Sequence, residues 1–547
     1  MRWPQVYDPV GHVGLSTLLA ALPVAVLLGA LGIFRLRAHV AVLLSLAVAL
    51  VVALGPFGMP ASAGLAAVGL GGGYGLFPIG WIVLNLIFLY DLSVTRGHFG
   101  VLRASLARLS PDPRIQVIGI AFCLGAFFEG AAGFGTPVAV TAALLIQLGF
   151  PPLLASCLSL IANTAPVAFG ALGTPIIALQ GVTGLDLHAL SAMVGRQLPI
   201  FSVIVPFWVV AALAGVRGTL GVWPAALVAG VAFAVPQYLI SNFHGPWLVD
   251  VVSALVSMGA LALLLTWWQP RDGWSLAGQA TESTEVEASA SHTRRETWDA
   301  WRPWLLLSAC VFVWGLPSVK TFLNGLSAPR FAVPYLHQVV ERVPPVVASP
   351  HAEDAVFTLN WLSATGTGIL AAALLAGLAM RFSVREMAVA YLHTLKRVRL
   401  SLLTIAAMLA LGYVSRYSGT DATLGLALAR TGAFYPFFGA LLGWLGVALT
   451  GSDTASNVLF GSLQRITAEQ TGISPVLMAA ANSSGGVMGK MVDAQSIVVA
   501  SVATGAHGRE GEILRSVFLH SVVLAVLVGL VVCLQAYVWP FTQLVPR

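Results

Sequence analysis

The sequence predicts an all-α polytopic membrane protein, with roughly twelve transmembrane helices on a length of about 20 mostly apolar residues per span. The helices are expected in two inverted-topology repeats, each with a broken or re-entrant helical hairpin. Three observations predict this. Hydrophobic residues make up 58% of the 547 and charged residues only 9%, whereas a soluble domain carries about 25% charged residues. Apolar runs of spanning length recur along the chain. Two polar, glycine-rich stretches interrupt those runs and echo each other: EGAAGFGTP (129–137) with ANTAPVAFG (162–170), and TGSDTASN (450–457) with ANSSGGVMGKMVD (481–493). Hydrocarbon offers freed backbone groups no partner, so irregular polar backbone survives at membrane depth only inside protein or beside a water-filled cavity.

In chain order, the first apolar run is Leu15 to Phe34. It is too long for a cleaved signal, and no small-residue cleavage site follows before Arg35, so it reads as a span. Arg35, Arg37 and His39 then put the next loop in the cytoplasm and the N-terminus outside, because positive loops stay inside. Runs 40–54 and 76–89 lead to Arg96, Arg103, Arg108 and Arg114, again inside. Runs 115–128, 198–214, 222–240 and 251–267 complete an N-terminal half, residues 1–267. Residues 268–302 mix acids, Ser, Ala and Arg and read as a flexible cytoplasmic linker. The C-terminal half, 303–547, holds runs 303–316, 362–380, 400–411, 437–449 and 517–539. Lys320 through Asp354 fall outside, and Arg381 to Arg399 inside.

Segments 93–109 and 415–430 precede the spans that end at Glu129 and Thr450. Both are expected to lie in the interface, the first with Phe99, Leu102, Leu106 and Leu109 as its apolar face. By the charge count they lie on opposite sides, which is the parity of an inverted repeat and points to a transporter with its site between the repeats. Gly133, Gly135, Pro137, Pro166, Gly170, Gly173 and Pro175 are the expected helix breakers.

The net charge of +6 does not signal nucleic-acid binding, because the basic residues sit in short loops. Cys123, Cys157, Cys310 and Cys533 lack metal-ligand spacing and read as small buried hydrophobes. GxSxG, HExxH and Walker A patterns are absent, which argues against an enzyme, and nothing resembles a selectivity filter. No catalytic residue, metal or cofactor is expected.

The stretches FFEGAAGFGTPVAVTAALLIQLGF (127–150), LIANTAPVAFGALGTPI (160–176), TGSDTASNVLFGSLQ (450–464) and AANSSGGVMGKMVDAQSIVVA (480–500) resemble the L-lactate permease family. The resemblance implies a multi-pass bacterial inner-membrane protein that imports L-lactate, and in some members D-lactate or glycolate, with a proton. It reaches more distantly to carriers with paired re-entrant hairpins, which are commonly homodimers. A sodium-coupled carboxylate carrier or exchanger of the same architecture is the alternative.

A small hydroxy acid needs donors for its carboxylate, a polar partner for its hydroxyl and a small apolar wall. Half-helix N-termini aim free N–H groups and partial positive charge at an anion. Gly-rich tips around Gly133 to Thr136, Gly135 among them, and at Ser484 to Gly486 are expected to let backbone approach the substrate. Thr136, Asn163, Thr164, Asn482, Ser483 and Ser484 are the expected hydrogen-bonding side chains, and Lys490 the expected cation. An anion entering against an inside-negative potential loses about 2.3 kcal/mol per 100 mV, which a co-transported proton removes. Asp453, Asp493 and Glu129 are the candidate proton carriers, since ionisable residues at membrane depth are functional by default. For Asp453 the competing role is a helix N-cap, and for Asp493 a structural ion pair with Lys490.

Overall fold

The computed structural model of the protein describes residues 2–32, 34, 36–98, 101, 110–131, 136–270, 274–276, 293–347, 349–506 and 509–546. Among them, seven helices are long and apolar enough to cross a membrane, or up to nine if two sharply bent pairs each count as one span. Five further apolar helices, such as Val249–Leu265 and Thr365–Ala379, are shorter. Among the described residues the expected twelve spans are thus found in part: seven to nine helices reach spanning length, and the other apolar runs form shorter helices.

Two 35-residue helical stretches, Ala61–Thr95 and Val384–Ser418, form a long packed pair across the two halves. Small residues bring them together. A Cβ on Gly71 would lie 2.6 Å from Ala410 Cα, and one on Gly75 would lie 2.7 Å from Ala406 Cα. Such small-xxx-small faces substitute van der Waals packing for a hydrophobic force that lipid does not supply. Ser383 and Glu386 form a capping box at the start of the second helix.

The two ends of Val384–Ser418 carry different partners. At one end Arg96 donates to the Arg381 carbonyl at 3.0 Å. At the other, Gln5 donates to the carbonyls of Arg416 and Tyr417 at 2.9 and 3.0 Å. There Trp3–Pro4 pairs in parallel with residues Val340 and Glu341 of the strand Val340–Arg342, whose Glu341 and Arg342 pair antiparallel with Ala352 and His351. Arg330–Ala332 and Val356–Thr358 form a second small antiparallel sheet. A helix of this length spans about 50 Å, against a hydrocarbon core of about 30 Å, so the ends can lie on opposite faces.

The segment 415–430 does not lie as a separate interfacial helix. It completes Val384–Ser418, turns at Gly419 (φ 84°), and continues as Thr420–Leu428, whose residues Thr420 to Thr423 are buried. Packing against Asp453–Thr471 prevails over lying flat. Its counterpart's Phe99, Leu102, Leu106 and Leu109 fall outside the described residues, as does most of the 268–302 linker.

Eight helices meet at the centre, numbered α1 to α8. They are Gly125–Ala131 (α1), Thr136–Gln147 (α2), Pro152–Ala162 (α3), Gly170–Thr183 (α4), Tyr435–Thr450 (α5), Asp453–Thr471 (α6), Pro475–Gly489 (α7) and Ala494–Thr504 (α8). Gly133 and Gly135, between α1 and α2, are outside the described residues. The bend between α3 and α4 is 65°. Asn163, Pro166 and three left-handed residues, Ala171, Leu172 and Gly173 (φ 43°, 55° and 77°), make it. A side chain on Gly173 would meet Pro246 at 2.7 Å, so only glycine fits there. Pro175, an expected breaker, lies inside α4.

The second pair of breaks differs from expectation. Ser484–Gly486 is not a re-entrant tip: it lies within the unbroken, buried α7. Its glycines serve helix contact. A Cβ on Gly485 would lie 2.0 Å from the Ala440 carbonyl oxygen, and one on Gly443 of α5 would lie 2.0 Å from that of Asn482. The breaks fall instead at Gly451–Ser452, where Gly451 has φ 73°, and at Lys490–Asp493.

Candidate functional site

Helix α6 begins with Ser452, whose backbone is extended and whose Oγ accepts from the Ala455 N–H at 3.3 Å. The N-cap is thus Ser452 and not Asp453, whose carboxylate is left for other partners. Asp453 is buried. Its Oδ2 accepts from Ser483 Oγ at 2.5 Å and from Asn457 Nδ2 at 3.3 Å. Its Oδ1 has no hydrogen bond among the described residues and sits where a Cβ on Gly486 would be, 2.5 Å away. Asn457 also donates to the Pro175 carbonyl of α4 at 3.2 Å, tying the two halves together.

From the other half, Glu129 near the end of α1 is buried, and its Oε2 accepts from Asn163 Nδ2 at 3.1 Å. Its Oε1 faces Gly170, whose missing side chain leaves it room: a Cβ there would be 2.7 Å away. Lys490, at the end of α7, donates to the Gly451 carbonyl at 2.7 Å and lies 3.4 Å from Asp493 Oδ2. Asp493 in turn accepts from the Ser496 N–H at 2.7 Å and caps α8. The break before α8 is therefore held by an ion pair and a cap together.

These groups enclose a cavity of about 80 Å³, lined by Glu129, Thr174 and Pro175 from one half and Ser452, Asp453, Thr454 and Lys490 from the other. By the ~30 Å³ share of a liquid water, that is room for two or three waters. The starts of α4 and α6 border it, so two helix N-termini of opposite halves meet at one space.

Of the expected site residues, Glu129, Asp453 and Lys490 line the cavity. Asn163, Ser483 and Asp493 stand directly behind them. Three others turn elsewhere. Thr164 Oγ1 donates to its own helix at Ile161, at 2.8 Å. Ser484 donates to Gln197 Oε1 at 2.6 Å. Asn482 is consumed by packing: it donates to Asn457 Oδ1 at 3.0 Å and Ser456 Oγ at 3.3 Å and accepts from Gln464 Nε2 at 3.1 Å. Gly135 lies outside the described residues. Thr136 opens α2, and its side chain is not among those described.

Sequence reasoning missed Ser452, Thr174 and Asn457. The first and third stand in the quoted TGSDTASN motif and were legible there as cap-forming and amide residues.

A model of the L-lactate permease family matches residues 16–539. The chain is 45% identical over 550 residues to the L-lactate permease of Escherichia coli strain K12, covering all of both chains. It is also 45% identical over 557 residues to the glycolate permease GlcA of that strain, covering 98% of this chain and 99% of that one. Among solved structures, the Alcanivorax borkumensis YdaH transporter aligns over 86% of this chain and 87% of its own, at 15% identity and a TM-score of 0.45.

Proposed function

The chain belongs to the L-lactate permease family, and on that premise we propose that it imports L-lactate across the bacterial inner membrane together with a proton, with D-lactate and glycolate as further substrates. It is a multi-pass membrane transporter and not an enzyme. One observation carries the proposal. Two carboxyls, Glu129 and Asp453, and one ammonium, Lys490, share a small cavity between the halves with two helix N-termini.

The charges decide what can bind there. With both carboxyls ionised and a carboxylate substrate present, three negative groups would face one cation that Asp493 already partly neutralises. Like charges that share a small buried cavity repel, and protonation relieves the repulsion. An anion therefore enters together with protons on the carboxyls, and transport carries less net charge against the membrane potential. Lys490 and the N-termini of α4 and α6 are suited to the substrate carboxylate, and Thr174 and Thr454 to its hydroxyl.

The packing supports two inverted repeats. Helix α4 of the first half lies on α6 of the second, and α8 of the second lies on α2 of the first. Exchanging the halves maps one contact onto the other. The partners of Val384–Ser418 distinguish its two ends: Arg96 meets Arg381 at one and the N-terminal strand lies at the other.

Uptake into proteoliposomes tests the function. Under an inward proton gradient without sodium, labelled L-lactate accumulates, unlabelled glycolate competes, and a protonophore abolishes accumulation. Uptake that requires sodium and ignores the pH gradient overturns proton coupling in favour of a sodium-coupled carrier.

A further inference from the structure

The apolar lining of the cavity comes from one place in the chain. Val167, Ala171 and Pro175 supply it, all within the bend between α3 and α4. The side chains that meet it from the other half, Ser452, Asp453, Thr454 and Lys490, are all polar or charged. Val167 sits in the short turn Val167–Phe169 and is buried, as is Ala171. The bend is held from behind. Its turn packs on α7, Asn457 donates to the Pro175 carbonyl at 3.2 Å, and a Cβ on Gly173 would stand 2.7 Å from Pro246. Ala171 carries its methyl in left-handed backbone (φ 43°), where glycine is free of strain and an L side chain is not. Strained positions of this kind cluster at ligand sites.

We infer that Val167 and Ala171 set which 2-hydroxy acid the site takes, by bounding the space for the carbon substituent on C2 of the substrate. This rests on the transport reading above, though not on its proton coupling. A carboxylate held by Lys490 and the helix N-termini, with its hydroxyl on Thr174 or Thr454, leaves one group to place. That group is a hydrogen in glycolate, a methyl in lactate and an ethyl in 2-hydroxybutyrate. Among the described residues, only the bend offers it apolar contact. Set against the charged side it would strip water from groups that it cannot hydrogen-bond. The cavity is about 80 Å³, and a wall packed from behind cannot retreat from an added methylene. One methylene in an apolar pocket changes selection by about 10- to 200-fold. Pro175 borders the same space, but its ring also fixes the backbone of α4, so replacing it would not read wall volume alone.

The test uses full-length protein in liposomes, with counterflow at equal pH on both sides so that coupling plays no part. Unlabelled glycolate, L-lactate and L-2-hydroxybutyrate compete with labelled L-lactate, or with labelled glycolate where a variant takes L-lactate poorly. The ratios of their half-inhibiting concentrations are then compared. Val167→Ala and Ala171→Gly widen the wall and should shift selection about tenfold toward 2-hydroxybutyrate over L-lactate. Val167→Ile narrows it and should shift selection about tenfold toward glycolate over L-lactate. Ala171→Gly also relieves the left-handed backbone, so it is the variant expected to fold, and it decides the matter if the other two do not insert. Ratios within about twofold of the wild type's in the folded variants overturn the inference. So does an equal fall for all three acids, which marks a packing role alone. If the wild type shows no counterflow of any of the three, the transport reading falls first and this inference with it, and that is seen without any variant.

Discussion

At the scale of single residues, two side chains of similar polarity have opposite fates. Asp453 retains one oxygen with no bonded partner, beside the cavity, while Asn482 spends its whole amide on Gln464, Asn457 and Ser456. The repeat relation between Asn163 and Asn482 therefore does not extend to role: Asn163 positions a cavity carboxyl, and Asn482 bolts α6 to α7. Asn482→Ala leaves several buried groups unpaired, each costing about 1–3 kcal/mol. Its expected effect is a clear drop in melting temperature in detergent, with uptake lost alongside it. Asp453→Asn should instead lower pH-driven uptake at least tenfold with a much smaller thermal shift. A destabilised Asp453→Asn with intact uptake per folded molecule would reverse the two assignments.

At the scale of elements, α5 and α7 run backbone against backbone. The Gly443 and Gly485 contacts leave no space for a methyl group, since the obstructing atoms are carbonyl oxygens and not movable side chains. Inserting atoms into a packed interface costs about 1–3 kcal/mol or more. Gly485→Ala should lower yield and melting temperature sharply, whereas Gly511→Ala, whose Cβ meets nothing within 4 Å, should not. Equal stability of the two variants in thermal denaturation would mean that α5 and α7 are not so closely apposed. This is also why the glycines of ANSSGGVMG misled: in a membrane a glycine run marks either a backbone break or a close helix contact, and composition is the same for both.

At the scale of the whole molecule, Glu353 joins distant parts of the chain outside the spans. Arg342 lies 2.9 Å from its Oε1 and Arg416 3.0 Å from its Oε2, linking the small sheet to the long helix Val384–Ser418. Burial alone would push the Glu353 carboxyl up, but Arg342 and then Arg416 outweigh it and hold it below the ordinary Glu range. A depressed value in the folded state gives stability that is complete above the unfolded value, about 4.3, and is lost as pH falls through the folded one. The melting-temperature gap between wild type and Glu353→Gln should thus be full at pH 6 and close as pH drops below about 4. A gap that stays constant across that range would mean the ion pairs do not hold the sheet to the helix.

The sequence by itself determined the membrane class, the presence of two related polar interruptions, the breakers Pro166, Gly170 and Gly173, and the three charged residues that line the cavity. These follow from local rules: hydrocarbon excludes polar backbone, proline and glycine interrupt helices, and an acid at membrane depth must be sheltered. Tertiary structure alone decided which polar side chain faces the cavity and which is spent on packing. Asn163 and Asn482, or Ser483 and Ser484, differ only in what stands opposite them, and Asp250 packs against Gly130 from a helix more than a hundred residues along the chain. Hydrogen-bond partners of that kind are set by helix rotation and crossing, which depend on every neighbour at once and leave no local mark on the chain.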